Sequence, residues 1–180
     1  MDVGSATGPA VAVVGVLGTL MSALLTQRAA DRSRQREQER AERERERRSD
    51  TEARRSGYIA LNTAARQYLA ALTDQLHALS RTDDVRDVRH RLTETRDLHR
   101  DVHAEAQMRM PERVLDLAAE VSHGLGAVYG RLKRLEGGVS RPGDSLAAAH
   151  ADIDALWDRL RAMRREMRAD LGAAGADSGR

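Results

Sequence analysis

Four stretches of this chain place an apolar residue at every third or fourth position, the repeat of a single helix face. The first covers about residues 57–80 and turns Leu61, Ala65, Tyr68, Leu69, Leu72, Leu76 and Leu79 inward. The second begins near Thr82-Asp83-Asp84, an N-cap followed by first-turn acids. Its stripe is Val85, Val88, Leu92, Thr95, His99, Val102 and Ala106, the least apolar of the four. The third opens at Pro111, a residue suited to the first helical position. There Val114, Ala118, Val121, Leu125, Val128, Leu132 and Leu135 alternate steps of four and three until Gly137-Gly138. A loop, Ser140-Arg141-Pro142-Gly143-Asp144, follows. The fourth stretch presents Leu146, Ala149, Ile153, Leu156, Leu160, Met163 and Met167. Short connections make sequential helices antiparallel neighbours. Residues 57–171 are therefore expected to form an antiparallel, up-down four-helix bundle, and residues 172–180 a disordered Gly/Ala/Ser tail.

The pattern upstream is different. Residues 3–27 carry no charge, and the chain turns cationic at Arg28, Arg32, Arg34 and Arg36. A hydrocarbon core of ~30 Å needs roughly 20 helical residues, so residues 1–27 are expected to be a transmembrane anchor. No basic residue precedes the apolar run and no convincing cleavage site follows it, which argues against a secretory signal. Basic flanks stay in the cytoplasm. The expected topology puts the N-terminus outside and residues 28–180 inside the cell. Gly8, Ala12, Gly15, Thr19, Ser22 and Thr26 fall on one face of the anchor at 4-3-4-3-4 spacing. Small residues in a stripe let two membrane helices approach closely.

From residue 28 to 56 there is no apolar period. A helix polar all round needs support from side-chain pairs. Glu39 with Arg43 and Glu44 with Arg48 stand at the favourable i,i+4 spacing. The expected structure is a charged helical stalk that continues the membrane helix. The whole chain is thus read as all-α: anchor, stalk, bundle.

Composition narrows the chemistry. The 180 residues include no Cys, which removes disulfides, thiol nucleophiles and Cys-ligated metals. Phe is absent, with three Tyr and one Trp, so the core must rest on Leu, Ala, Val and Met. Such a core is thin, and modest stability is expected. The pI near 9.5 suggests nucleic acid. However, residues 28–56 hold 11 Arg against 8 acids, while residues 57–180 hold 19 basic and 19 acidic residues. The excess charge borders the anchor, where it meets anionic lipid. No nucleic-acid partner is expected.

Catalytic patterns are weak. His99 and His103 have i,i+4 ligand spacing, but Arg100 stands where a zincin has Glu, and no third ligand can be named. Gly124-Leu125-Gly126-Ala127-Val128-Tyr129-Gly130 lies inside the strongest helical repeat, so it reads as close helix packing rather than a phosphate loop. Ser122-His123-Gly124 lacks the strand and the glycines of a nucleophile elbow. No catalytic, cofactor or metal residue is assigned, and no enzymatic activity is expected.

A small-residue anchor (Val14-Gly15-Val16-Leu17-Gly18-Thr19-Leu20) runs into Gln27-Arg28-Ala29-Ala30-Asp31-Arg32, and Tyr68-Leu69-Ala70-Ala71-Leu72 then opens a bundle. In that order the chain resembles small single-pass actinomycete membrane proteins with a helical cytoplasmic body, loosely the KilB-like plasmid-transfer proteins. The resemblance implies a membrane-anchored helical protein of a mobile element or the envelope, with no site residues to transfer. The expected partners are the lipid bilayer, a second copy of the chain through anchor or bundle, and a protein docked on the bundle. The leading expectation is a non-enzymatic scaffold. The alternatives are a stator- or spanin-like mechanical coiled-coil protein and a ligand-sensing bundle whose polar groups are Thr95, His99 and Tyr129.

Overall fold

Each apolar repeat is a helix in the computed structural model of the chain. The elements are α1 (Gly8–Arg81), α2 (Arg86–Gln107), α3 (Glu112–Glu136) and α4 (Leu146–Asp177). The structure describes the backbone of residues 8–81 and 86–177, and the side chains of residue 35, residues 37–81 and residues 86–172. The anchor face from Gly8 to Thr26, the basic flank Arg28, Arg32, Arg34 and Arg36, and the cap Thr82-Asp83-Asp84 lie outside the described side chains. Among the described residues there is no strand, and no helix is long and apolar enough to cross a membrane.

The chain divides into two units, Met1–Ser49 and Asp50–Arg180. In the first, every described side chain is exposed. The two i,i+4 pairs form, Glu39 with Arg43 at 3.7 Å and Glu44 with Arg48 at 3.5 Å. Pairs this exposed contribute at most a few tenths of a kcal/mol each.

The second unit holds the core. Gly57, where the bundle was expected to begin, is helical within α1. On α1 the apolar stripe is buried as expected, with Leu79 half-covered, and it is extended by Tyr58 and Ala64. Gln75 also occupies a stripe position and is 1 % exposed, with no partner for either amide atom. α3 and α4 bury their stripes from Val114 to Leu132 and from Ala149 to Met167. α2 buries only Leu92, His99 and Ala106. The expectation that it is the least apolar helix follows directly into its packing.

Pairings across the helices run in opposite senses. Tyr68 of α1 meets His99 of α2, while Asp74 meets Arg91. Glu136 of α3 binds Arg89 of α2, and Ser122 binds His99. Arg131 of α3 binds Asp152 of α4, and Gly124 lies against Leu156. Arg54 and Tyr58 of α1 both reach Asp170 of α4, the phenol donating at 2.7 Å. Burial first, and then this hydrogen bond to a carboxylate, raises the Tyr58 pKa.

The helix ends follow local chemistry. Pro111 is the N-cap of α3 rather than its first helical residue, because its ψ of 147° is extended. Its carbonyl accepts from the N–H groups of Val114 and Leu115. At the other end Gly138 takes φ 69°, where a side chain would be strained. Val139 N–H then returns to Arg134 O at 3.0 Å and Gly138 N–H to Leu135 O at 3.3 Å, the paired bonds of a Schellman stop. Ser145 caps α4 by accepting from Ala148 N–H. Between them Asp144 accepts from Arg134, Arg131 and the Arg141 N–H. The Arg134 hydrogen bonds above all hold its carboxyl well below the usual range. α4 continues to Asp177, into the stretch expected to be a disordered tail. Ala173, Ala174 and Ala176 are strong helix formers, and single glycines do not stop a helix.

Candidate functional site

α3 packs closely along α4 but touches α2 sparsely. The sparse side leaves a groove of about 940 Å³. This volume lies within the ~300–1,000 Å³ of small-molecule sites. Two other hollows, of about 240 and 210 Å³, fall below that range.

The residues that build the groove sit beside the apolar stripes. On α3, Ala119, Ser122, Gly126 and Tyr129 follow 3-4-3 spacing and form a second stripe of small or hydroxylated residues. On α2, Arg96, His99, Arg100 and His103 line the opposite wall, and Tyr68 of α1 lies against His99. A Cβ added at Gly126 would meet nothing within 4 Å. The small side chains on α3 thus hold the space open.

His99 is where three helices meet. It is 4 % exposed, its ring lies 5.8 Å from that of Tyr68, and its Nε2 is 3.0 Å from Ser122 Oγ. Ser122 Oγ is also 3.3 Å from His103 Nδ1. One hydroxyl is therefore shared by two imidazoles. Ser122 has a single hydrogen, so it donates to one ring and accepts N–H from the other. In either arrangement His99 Nδ1 stays buried without a partner. Protonating His99 would place a positive charge there with an orphaned N–H. Burial, and then the neighbouring His103, accordingly lower its pKa from 6.5 to about 4. Burial also lowers that of His103. Burial thus favours the neutral form of both rings.

Tyr129 closes one end of the groove. Its hydroxyl accepts from Arg96 Nη1 at 2.9 Å, and the guanidinium carbon sits 5.0 Å from the ring centroid. The same Arg96 binds Asp97 at 3.0 Å. Of the three polar residues expected in a ligand-sensing bundle, His99 and Tyr129 are in the groove. Thr95 is not, because its hydroxyl donates back to the Arg91 and Leu92 carbonyls of its own helix.

Chemically the cluster is a hydrogen-bonding surface. Ser122 lies mid-helix, where the backbone N–H groups are committed to the helix and cannot form an oxyanion hole. Among the described residues no carboxylate orients His99, as a nucleophile–base pair requires. Among the described residues no group of three or more His, Asp or Glu is arranged to hold a metal. The glycine-rich segment divides by position. Gly124 is a close-packing site, where a Cβ would come within 2.6 Å of Leu156 Cδ2. Gly126 is a groove residue. Sequence reading missed Ser122, Tyr68, Arg96 and Arg100 as site residues. The 3-4-3 stripe beside the apolar one was the available signal.

These features define an all-α, four-helix protein with a polar groove between two of its helices. No protein-family model, curated protein or solved structure matches the chain.

Proposed function

We propose that this chain is a membrane-anchored, non-enzymatic helical module whose bundle recognises a small molecule in the groove between α2 and α3. The observation that carries the reading is the groove itself. Its size suits a ligand, and a buried histidine with an unpartnered nitrogen stands in its wall. A pocket with a few convergent polar groups is the usual form of a recognition site. Large exposed apolar side chains, by contrast, sit on separate elements, at Ile59, Leu98, Met108 and Val139. Scattered singly, they are ordinary surface. They favour ligand recognition over a protein-docking scaffold.

The membrane part of the proposal rests on the uncharged run of residues 3–27 and its Arg28–Arg36 border. Residues 28–56 serve as the stalk, and the bundle lies in the cytoplasm. The small-residue face from Gly8 to Thr26 offers a surface for pairing two anchors. The anchor–stalk–bundle order shared with KilB-like proteins points to a mobile element or the envelope as the setting.

The groove is tested by thermal-shift screening of the purified full chain against a small-molecule library, with Gly126→Trp as the blocked control. Compounds should stabilise the native chain and not the variant. A library with no stabilising compound would overturn the reading. A reporter fused after Arg180 tests the topology. Activity on the outside of the membrane would overturn the cytoplasmic placement.

A further inference from the structure

The charge of the groove separates it from the rest of the chain. Acids make up 28 of the 180 residues, yet none of the described residues lining the groove is Asp or Glu. The wall instead carries Arg96 and Arg100, with the His99 and His103 imidazoles beside them. Arg96 is already engaged by Asp97 and by the Tyr129 hydroxyl. Arg100 makes no ion pair or hydrogen bond among the described residues, so one positive charge in the groove is uncompensated.

One donor is spare on the same surface. Tyr68 lines the groove, and its hydroxyl has no hydrogen-bond partner among the described residues. The Ser122 hydroxyl, on α3, is already shared between the two imidazoles. Around these, Ala104, Ala119 and Ala127 present methyl groups and Gly126 leaves open space.

From this arrangement, and building on the ligand-binding reading above, we infer that the groove selects a small organic monocarboxylate with an apolar body. One free guanidinium matches one negative charge. A carboxylate is an acceptor-only group that can take two donors from a guanidinium at once. Tyr68 of α1 lines the same groove and adds a further donor. The alanine walls and tyrosine faces accommodate the apolar body. A cationic ligand would meet Arg100 with no carboxylate in the lining to offset it. A neutral amide would leave Arg100 unpaired and lose the charge-assisted bond.

The test uses three probes of one shape and different charge: 2-naphthoate, 2-naphthamide and 2-naphthylmethylamine. Each is titrated by calorimetry into the purified full chain, and melting is followed in parallel. Naphthoate should bind, and it should raise the melting temperature by about 4 °C at tenfold excess over Kd. Arg100→Gln should weaken naphthoate about tenfold or more, the loss of one charge-assisted contact. Arg100 is exposed, so the variant should fold with an unchanged melting point in the absence of ligand. If the amide or the amine binds as well as the carboxylate and Arg100→Gln changes nothing, the carboxylate class is overturned and the groove reading survives. If none of the three binds, the carboxylate inference falls. If the wider library also yields nothing, the groove reading falls with it.

Discussion

Helix α3 meets α4 and α2 by different rules. Towards α4 it is dry and close. Gly124 has no side chain, and Leu156 fills the space a Cβ would need. The near end of that pair is clamped by Arg131 and Arg134 on Asp144. Towards α2 it is open and polar. Contact is made through Arg96 on Tyr129 and through two imidazoles on one serine hydroxyl. One helix therefore divides the work. Its α4 face supplies apolar burial, which drives folding. Its α2 face gives up some of that burial and keeps a space that a ligand can enter. A stable seam on one side makes a loosely packed one tolerable on the other.

The strongest way to break this comparison is to cut the dry seam. Leu156 is 2 % exposed in the middle of it. Leu156→Ala should lose about 2–5 kcal/mol of unfolding free energy, the usual penalty for a buried leucine with its cavity. Chemical denaturation of the full chain, followed by far-UV circular dichroism, measures it. A loss below 1 kcal/mol would mean that the α3–α4 contact does not hold the bundle together.

The dry seam was legible in the sequence and the groove was not, for the same physical reason. Burial of apolar surface imposes a 3-4 repeat on residue type, so Val114 to Leu132 and Ala149 to Met167 could be read off directly. Gln75 escaped because it occupies a stripe position with a polar side chain. The groove obeys the same spacing, at Ala119, Ser122, Gly126 and Tyr129, but its residues share smallness and hydrogen-bonding capacity rather than hydrophobicity. A periodicity search tuned to apolar residues passes over them. Ser122 was visible only as a failed nucleophile elbow, and Gly126 only as a packing glycine. His99 and His103 were noticed for their i,i+4 spacing. The group they share, Ser122, is on another helix, and no local pattern links it to them. The start of α3 was readable to within one residue, as Pro111 shows, whereas the end of α4 was not, since it runs on to Asp177.

Between pH 7 and 4, acid should act mainly on the polar side. The unfolded chain binds a proton at His99 near pH 6.5, whereas the folded chain resists it until about pH 4. The stabilising effect of neutral His99 is therefore complete above pH 6.5 and is lost as the pH falls towards 4. This linkage should amount to on the order of 3 kcal/mol. Among the described residues no carboxylate contacts the ring; its neighbours are Tyr68, Ser122 and His103. His99→Gln should remove most of this slope while leaving the carboxylate titrations shared with the native chain. The two pH–stability curves, measured by urea denaturation between pH 4 and 7, should converge at the acid end. Parallel curves would mean that His99 is solvated and the groove wall is not as described.

Polarity buried outside the groove should be a pure cost. Gln75 has both amide atoms buried and unpaired, and it does not line the groove. Gln75→Met keeps the length of the side chain and removes the orphaned groups. The expected gain is about 1–3 kcal/mol, read from the denaturation midpoint. Ligand binding in the groove should not change. A loss of stability would show that the amide has a partner which the described residues do not include.

The finest test sets two glycines of α3 against each other. Both are helical, so alanine should add up to ~1 kcal/mol at either position from helix propensity alone. At Gly126 nothing opposes the gain, because the new methyl group enters the groove. At Gly124 the methyl group would sit 2.6 Å from Leu156 Cδ2 and 3.4 Å from its Cγ. Leu156 is enclosed by the core and cannot swing away freely. Overpacking of this kind costs about 1–3 kcal/mol, which outweighs the propensity term. Gly126→Ala should therefore raise the melting temperature and Gly124→Ala lower it, with a net loss of roughly 1 kcal/mol for the latter. Changes of the same sign at both positions would erase the distinction between the two faces of α3. Opposite signs would locate the boundary between seam and groove at the single residue, Leu125, that separates these glycines.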